Sequence, residues 1–261
     1  MKADLRTDVR VAAAAGFDCL EIWAAKLRRF LKTESLADLQ RLFVENEIQP
    51  LSINSIEHVT FRDAEVYARI KDECRELTGI AVAIDCPYVV LVPGKFVGGA
   101  TRDLIIDESV KVLNELADIA SERGVSLAFE FLGQTDCSVQ TLDLAHEIID
   151  RVDRDEVGLV IDAFHFYAGG STIDMIEALD PKRLFIFHID DAEDRPRREL
   201  TDAHRLLPGL GTLPLAEIIA AFRRIGYDSN ASVELFRPEY WERDPFELAR
   251  EAQVALQRVL A

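Results

Sequence analysis

Short apolar runs and longer amphipathic stretches alternate along almost the whole chain. The runs Cys19–Trp23, Pro50–Asn54, Tyr88–Pro93, Ser126–Leu132, Gly158–Ala163, Leu184–Asp190 and Ala231–Phe236 are apolar on both faces, as the strands of a helix-covered parallel sheet are. Between them, apolar residues recur at helical spacing over Ser35–Asn46, Ala64–Gly79, Asp103–Arg123, Val139–Arg151 and Leu215–Ile225. Gly79, Gly124 and Gly226 stand where a helix C-cap glycine belongs. Such alternation implies right-handed crossovers and either a barrel or a doubly wound sheet. No GxGxxG follows an early strand and no phosphate-loop motif occurs, which favours the barrel. The pattern therefore predicts an α/β chain folded as a (β/α)8-type TIM barrel. The chain opens with a helix, about Leu5–Ala15, where a barrel opens with a strand. Seven strands and eight helices are expected, the first strand being absent. Strand edges beside that gap favour a homo-oligomer.

At 261 residues and 49% hydrophobic, residues 1–261 suit a single domain of barrel size. The net charge of −17 offers no cationic face, so neither nucleic acid nor an anionic membrane is expected as a partner. Cys19, Cys74, Cys86 and Cys137 are scattered without a CxxC pair, which reads as reduced thiols in a cytoplasmic protein. No leader-like segment opens the chain, and no apolar run approaches the roughly 20 residues of a membrane span.

Four late strands each carry one ionisable residue among apolar ones, in AFEFL, VIDAF, IFHID and SVELF. These are Glu130, Asp162, His188 and Glu234, spaced 32, 26 and 46 residues apart. Each falls near the carboxyl end of its strand, where barrel active sites are built. Alternation puts Ala128 with Glu130, Val160 with Asp162, Ile186 with His188 and Ser232 with Glu234 on shared faces. One register thus points all four polar groups at the barrel axis. Three carboxylates converging there would raise one another's pKa unless a cation compensates. A lone strand-end carboxylate is usually a loop anchor, and a lone strand histidine a satisfied core residue. Four in phase are a metal site, since burying even one unpaired charge costs several kcal/mol. The oxygen-rich set with one imidazole favours Mn²⁺, with Zn²⁺, Co²⁺ and Mg²⁺ also accepted.

His165 lies three residues past Asp162, in the loop leaving that strand, and is read either as a substrate contact or as an orienting histidine. Arg205, in TDAHRLLPGLG, is read as a substrate contact or as a surface partner of Asp202 or Glu199. Asp190 and Asp191 are candidates to support the ligands, while Arg237 and Glu239 are weaker ones. Trp23 suits stacking on a sugar-like ring, although a core position is the more ordinary fate of a tryptophan. Gly169, Gly170, Gly209 and Gly211 read as turn glycines.

The strings LAFEFLG, GLVIDAFHFY, FIFHIDDAED, TDAHRLLPGLG and SVELFRPEYW resemble the xylose-isomerase-like barrel superfamily, and within it the inosose isomerases of inositol catabolism. The resemblance runs from about Leu20 to the C-terminus and is densest after Ala117. It implies a divalent metal on the residues matching Glu130, Asp162, His188 and Glu234, with Glu130 and Glu234 as the acid–base pair for proton transfer beside a carbonyl. It also implies that His165 faces substrate. Two departures stand out: the superfamily's first strand is missing, and Trp23 occupies a place where a polar residue is expected.

The expected function is a metal-dependent isomerase shifting the carbonyl of a keto-inositol by enediolate proton transfer, on a small polyol or keto-sugar. The alternatives are an epimerase or dehydratase of a related keto sugar, or a metal-bound barrel without catalysis. A nuclease of the same superfamily would need a histidine-rich cluster and a basic surface. Five histidines and a charge of −17 exclude it.

Overall fold

The computed structural model of the protein describes residues 3–261. Seven parallel strands form one sheet in a nearly closed TIM barrel: β1 (Cys19–Trp23), β2 (Gln49–Ile56), β3 (Tyr88–Leu91), β4 (Ser126–Glu130), β5 (Val157–Asp162), β6 (Leu184–Ile189) and, after a two-stranded ribbon, β9 (Ser232–Val233). The order is β1-β2-β3-β4-β5-β6-β9. The ribbon pairs β7 (Asp191–Ala192) antiparallel with β8 (Arg205–Leu206). All seven predicted strands are present.

Alternation along the strands divides the interior into two layers. Outward-facing Ile53, Val89, Leu127, Phe129, Leu159, Ile161 and Phe187 join the helices in the main core. Inward-facing Leu51, Val90, Val92, Ala128, Val160 and Ile186 fill the barrel itself, with Cys19 and Leu132 against them. Small and branched side chains plug the lower barrel, so the polar groups one pair further along each strand are held at its mouth.

Among the described residues there are eleven α-helices where eight are expected. The additional ones are short, and three follow strands at the mouth: Ala24–Phe30, Ala163–Gly169 and Pro238–Trp241. Segments of one or two turns are too brief to show a periodic stripe. His165 consequently lies in a helix rather than a loop. Asp162 is the N-cap of that helix, its side chain accepting from His165 N at 2.8 Å. Gly226 ends its helix in the left-handed conformation, φ +84°, as expected. Gly79 does not, because its helix continues through Ala64–Ala83 and buries Ile80 and Ala81.

The backbones of β1 and β9 are not hydrogen-bonded to one another, yet side chains span the interval. Glu21 of β1 accepts from Ser52 Oγ of β2 at 2.6 Å, and Ser232 of β9 is near enough to help lower its pKa. Outside the sheet, helices Leu5–Ala15 and Pro245–Leu260 lie side by side, and Gln253 Nε2 donates to Gly16 O at 2.9 Å. No helix among the described residues is long and apolar enough to cross a membrane.

Candidate metal centre

Parallel pairing brings the polar strand ends into line. Asp162 of β5 is the register partner of His188 on β6, and Glu130 of β4 that of Val160 on β5. Glu234 follows β9 by one residue. One donor atom from each of Glu130, Asp162, His188 and Glu234 lies within 4.8 Å of the others. His188 Nδ1 is 3.0 Å from Glu130 Oε1, 3.5 Å from Glu234 Oε2 and 3.7 Å from Asp162 Oδ2. That spacing fits a cation bound at roughly 2.0–2.4 Å by each donor. Three carboxylate oxygens and one imidazole nitrogen are donors suited to a divalent ion.

The surroundings strengthen the fit. Asp190 and Asp162 are fully buried beside the site, and Glu21 is within reach of it. Against these carboxylates stand one buried guanidinium and two imidazoles. Burial raises Glu234, and the neighbouring Glu130 and Asp162 add to the effect, so that its pKa reaches about 8 despite His188 and Arg205. Burial is the largest single influence on Asp162 and opposes its ionisation, but Arg205, His165 and His188, with the His165 N–H, together outweigh it and hold that carboxyl at about 2. Burial would lower His188, yet Glu21, Glu234 and Glu130 together push it well above the ordinary histidine range. Asp190 is raised well above its usual value by burial and by Asp162.

Glu21 is the functional residue that sequence reading missed. Its Oε1 lies 2.9 Å from His188 Nε2, although off the line of a well-aligned N–H···O bond. Its Oε2 accepts from Ser52 Oγ at 2.6 Å. A carboxylate on Nε2 keeps the proton there and leaves the Nδ1 lone pair for a metal. The signal was present in CLEIW, a charged residue inside a both-faces-apolar run. Glu21→Gln should weaken cation affinity about 10- to 100-fold, read by competition with a chelating dye. Unchanged affinity would remove Glu21 from the site.

Arg205 is 1% exposed, not the surface residue of the simpler reading. Its Nη1 donates to Asp162 Oδ2 at 2.5 Å and Asp190 Oδ2 at 2.7 Å. Its Nη2 reaches Asp202 Oδ1 at 3.1 Å and His165 Nε2 at 3.1 Å, and its Nε donates to Asp202 at 3.2 Å. Four N–H groups are thus hydrogen-bonded, and the ion pair with Asp202 adds to them. Phe164 and Phe236 flank the guanidinium, with ring centroids at 4.8 and 5.4 Å. The β7–β8 ribbon delivers it, and Asp191 secures the ribbon by accepting from Ala192, Gly211 and Leu213 N–H groups. Gly211 is needed there because a Cβ would lie 2.1 Å from Ala192 O.

His165 is 3% exposed. Burial lowers its pKa and Arg205 adds to this, so the ring is neutral at pH 7. With Nε2 accepting from Arg205, the proton sits on Nδ1, which has no protein partner. Asn54 on β2, also unanticipated, donates to Glu234 Oε1 at 3.1 Å. Arg237 pairs with Glu193 at 2.7 Å and is not part of the cluster.

A family model for xylose isomerase-like TIM barrels matches residues 9–259. The chain is 38% identical to an inosose isomerase of Bacillus velezensis, over 99% of this chain and 93% of that protein. It is 39% identical to an inosose isomerase of Bacillus subtilis, over 92% and 87% of the two chains. A crystal structure described as IOLI protein with a binding zinc atom superposes with a TM-score of 0.96 at 38% identity, covering 99% of this chain and 93% of that one.

Proposed function

The chain belongs to the xylose isomerase-like TIM barrel family, and from that premise we propose that it is a divalent-metal-dependent isomerase moving the carbonyl of a keto-inositol to the neighbouring ring carbon. The observation that carries this reading is the convergence of Glu130, Asp162, His188 and Glu234 at the barrel mouth, in a chain 38% identical to an inosose isomerase over nearly its whole length.

A divalent cation held by these four side chains supplies Lewis-acid polarisation of the substrate's carbonyl. The chain's own groups move the protons. Glu234 takes the proton from the hydroxyl-bearing carbon beside the carbonyl. Its side chain is 18% exposed against 5% for Glu130, and Asn54 fixes the oxygen not turned toward His188. Glu130, across Nδ1 of His188, gives the former carbonyl carbon a proton it has taken from solvent, and Glu234 gives its own up to solvent before the next turnover. The C–H bond breaks at one carbon and forms at its neighbour, while the hydroxyl proton passes to the old carbonyl oxygen. His165 donates from Nδ1 to a substrate oxygen. Arg205 holds Asp162, Asp190 and His165 in place, acting on substrate through them.

The oxygen-rich donors lead us to Mn²⁺ as the native ion, with the zinc of the similar structure as the main competitor. The four unpaired thiols accord with a reducing cytoplasm. Incubating 2-keto-myo-inositol with chelator-stripped, reconstituted protein and following it by proton NMR tests the reading. The isomeric ketone should accumulate fastest with Mn²⁺ and not at all with excess chelator. An unchanged spectrum with Mn²⁺, Zn²⁺, Co²⁺ and Mg²⁺ alike would contradict it.

Cation binding should also be linked to pH. Glu234, raised to about 8, and His188, raised well above 6.5, hold protons at neutral pH under the protein's charges alone. Ligands bind metal deprotonated, so affinity should rise with pH, and the Glu234 part of that rise should level off above about 8. Calorimetry at pH 7 in buffers of different ionisation enthalpy should show net proton release. Zero release would contradict the assignment of these two ligands.

A further inference from the structure

We propose that Trp23 is the stacking platform of the substrate site, selecting a flat carbocyclic polyol by receiving the C–H face of its ring; this rests on the keto-inositol reading. The placement follows from β1. Leu20 and Ile22 pack outward into the main core, Cys19 packs against the barrel interior, and Glu21 meets His188 there. Alternation then puts Trp23 on the same inward side as Glu21, about 7 Å further along the strand, at the C-terminal mouth. Its register partner is Asn54, whose amide holds Glu234. The core position that composition favours is not what the fold provides, because Trp23 is 37% exposed.

The chemistry of the ligand matches an aromatic wall there. A cyclitol ketone whose hydroxyls are mostly equatorial carries them around its rim and turns axial C–H groups to its faces. The rim suits carboxylates and the His165 donor, and a face suits an indole. An open-chain keto sugar has no such continuous apolar face. Trp23 therefore distinguishes substrates at the ring rather than at the reacting carbons.

Trp23→Ala should raise KM for 2-keto-myo-inositol roughly 10-fold, with kcat within about 2-fold and Mn²⁺ affinity unchanged. Trp23→Phe should recover most of the loss. A readout independent of turnover uses Trp241→Phe, which leaves Trp23 as the sole tryptophan of two. Titrating the Mn²⁺-loaded protein with unreactive myo-inositol should change its emission saturably. Normal turnover with KM unmoved in Trp23→Ala, or a fall in kcat alone, would overturn the platform and leave the isomerase reading intact. A saturable emission change without turnover of the ketone by the unmodified chain would support the platform and count against that reaction.

Discussion

Glu234→Gln should lower kcat for the keto-inositol roughly 10²- to 10⁴-fold at saturating Mn²⁺, with the fold unchanged. The amide keeps a carbonyl oxygen for Asn54 to donate to and preserves side-chain volume, so the packing around it is retained. It cannot accept a proton from carbon, and that is the step assigned to Glu234. Loss of a ligand also weakens cation binding, so the comparison belongs at metal saturation, with bound metal measured in the same samples. Single-turnover NMR on the variant and the parent reads the chemical step directly. A kcat within about tenfold of the parent would transfer the base to another group, with Glu130 as the other carboxylate of the proposed pair.

Arg205→Met should destabilise the protein by about 3–5 kcal/mol, the largest stability effect expected of any single side chain at the site. The guanidinium is 1% exposed and meets Asp162, Asp190 and Asp202. Removing it strands buried carboxylates, and their lost partner costs more than the pair itself contributed. Asp190→Asn in the same chain removes one stranded charge and should restore part of the loss, a coupling that separate sites would not show. Arg205→Lys should not rescue, because an ammonium cannot direct planar donors at three carboxylates and an imidazole. Urea denaturation of the two single variants and the double variant checks this. A change below about 1 kcal/mol in Arg205→Met would mean that the network is not what holds Asp162.

The barrel was legible in the sequence because buried parallel strands announce themselves as unbroken apolar runs, and all seven were placed within a few residues. The four ligands were legible for the opposite reason: each is an ionisable group where burial without compensation would be costly. Glu21 carries the same signal, but a single carboxylate gains meaning only beside His188. The setting of Arg205 was hidden by the ribbon that delivers it, two residues a strand, with no period to detect. Its guanidinium is hydrogen-bonded to Asp162, Asp190, Asp202 and His165, a set of partners that no local sequence pattern reveals. The helix after Asp162 was also unreadable from periodicity, being seven residues long, although the aspartate three residues before His165 is a capping signature. Trp23 shows the limit of residue statistics: tryptophan is usually buried, and strand alternation placed this one at the mouth.

At the heart of the proposed reaction is a proton relay between adjacent ring carbons through carboxylates that would also hold the metal. Running the isomerisation in D₂O with Mn²⁺-loaded protein, then stripping the metal and recording proton NMR, tests it most directly. With Glu234 removing a proton and Glu130 delivering another, the product ketone should carry solvent deuterium on the carbon that was the substrate's carbonyl. Product formed with no deuterium at that carbon would mean that the same hydrogen travels between the two carbons, directly or on one shielded carboxylate, and would contradict the two-carboxylate relay.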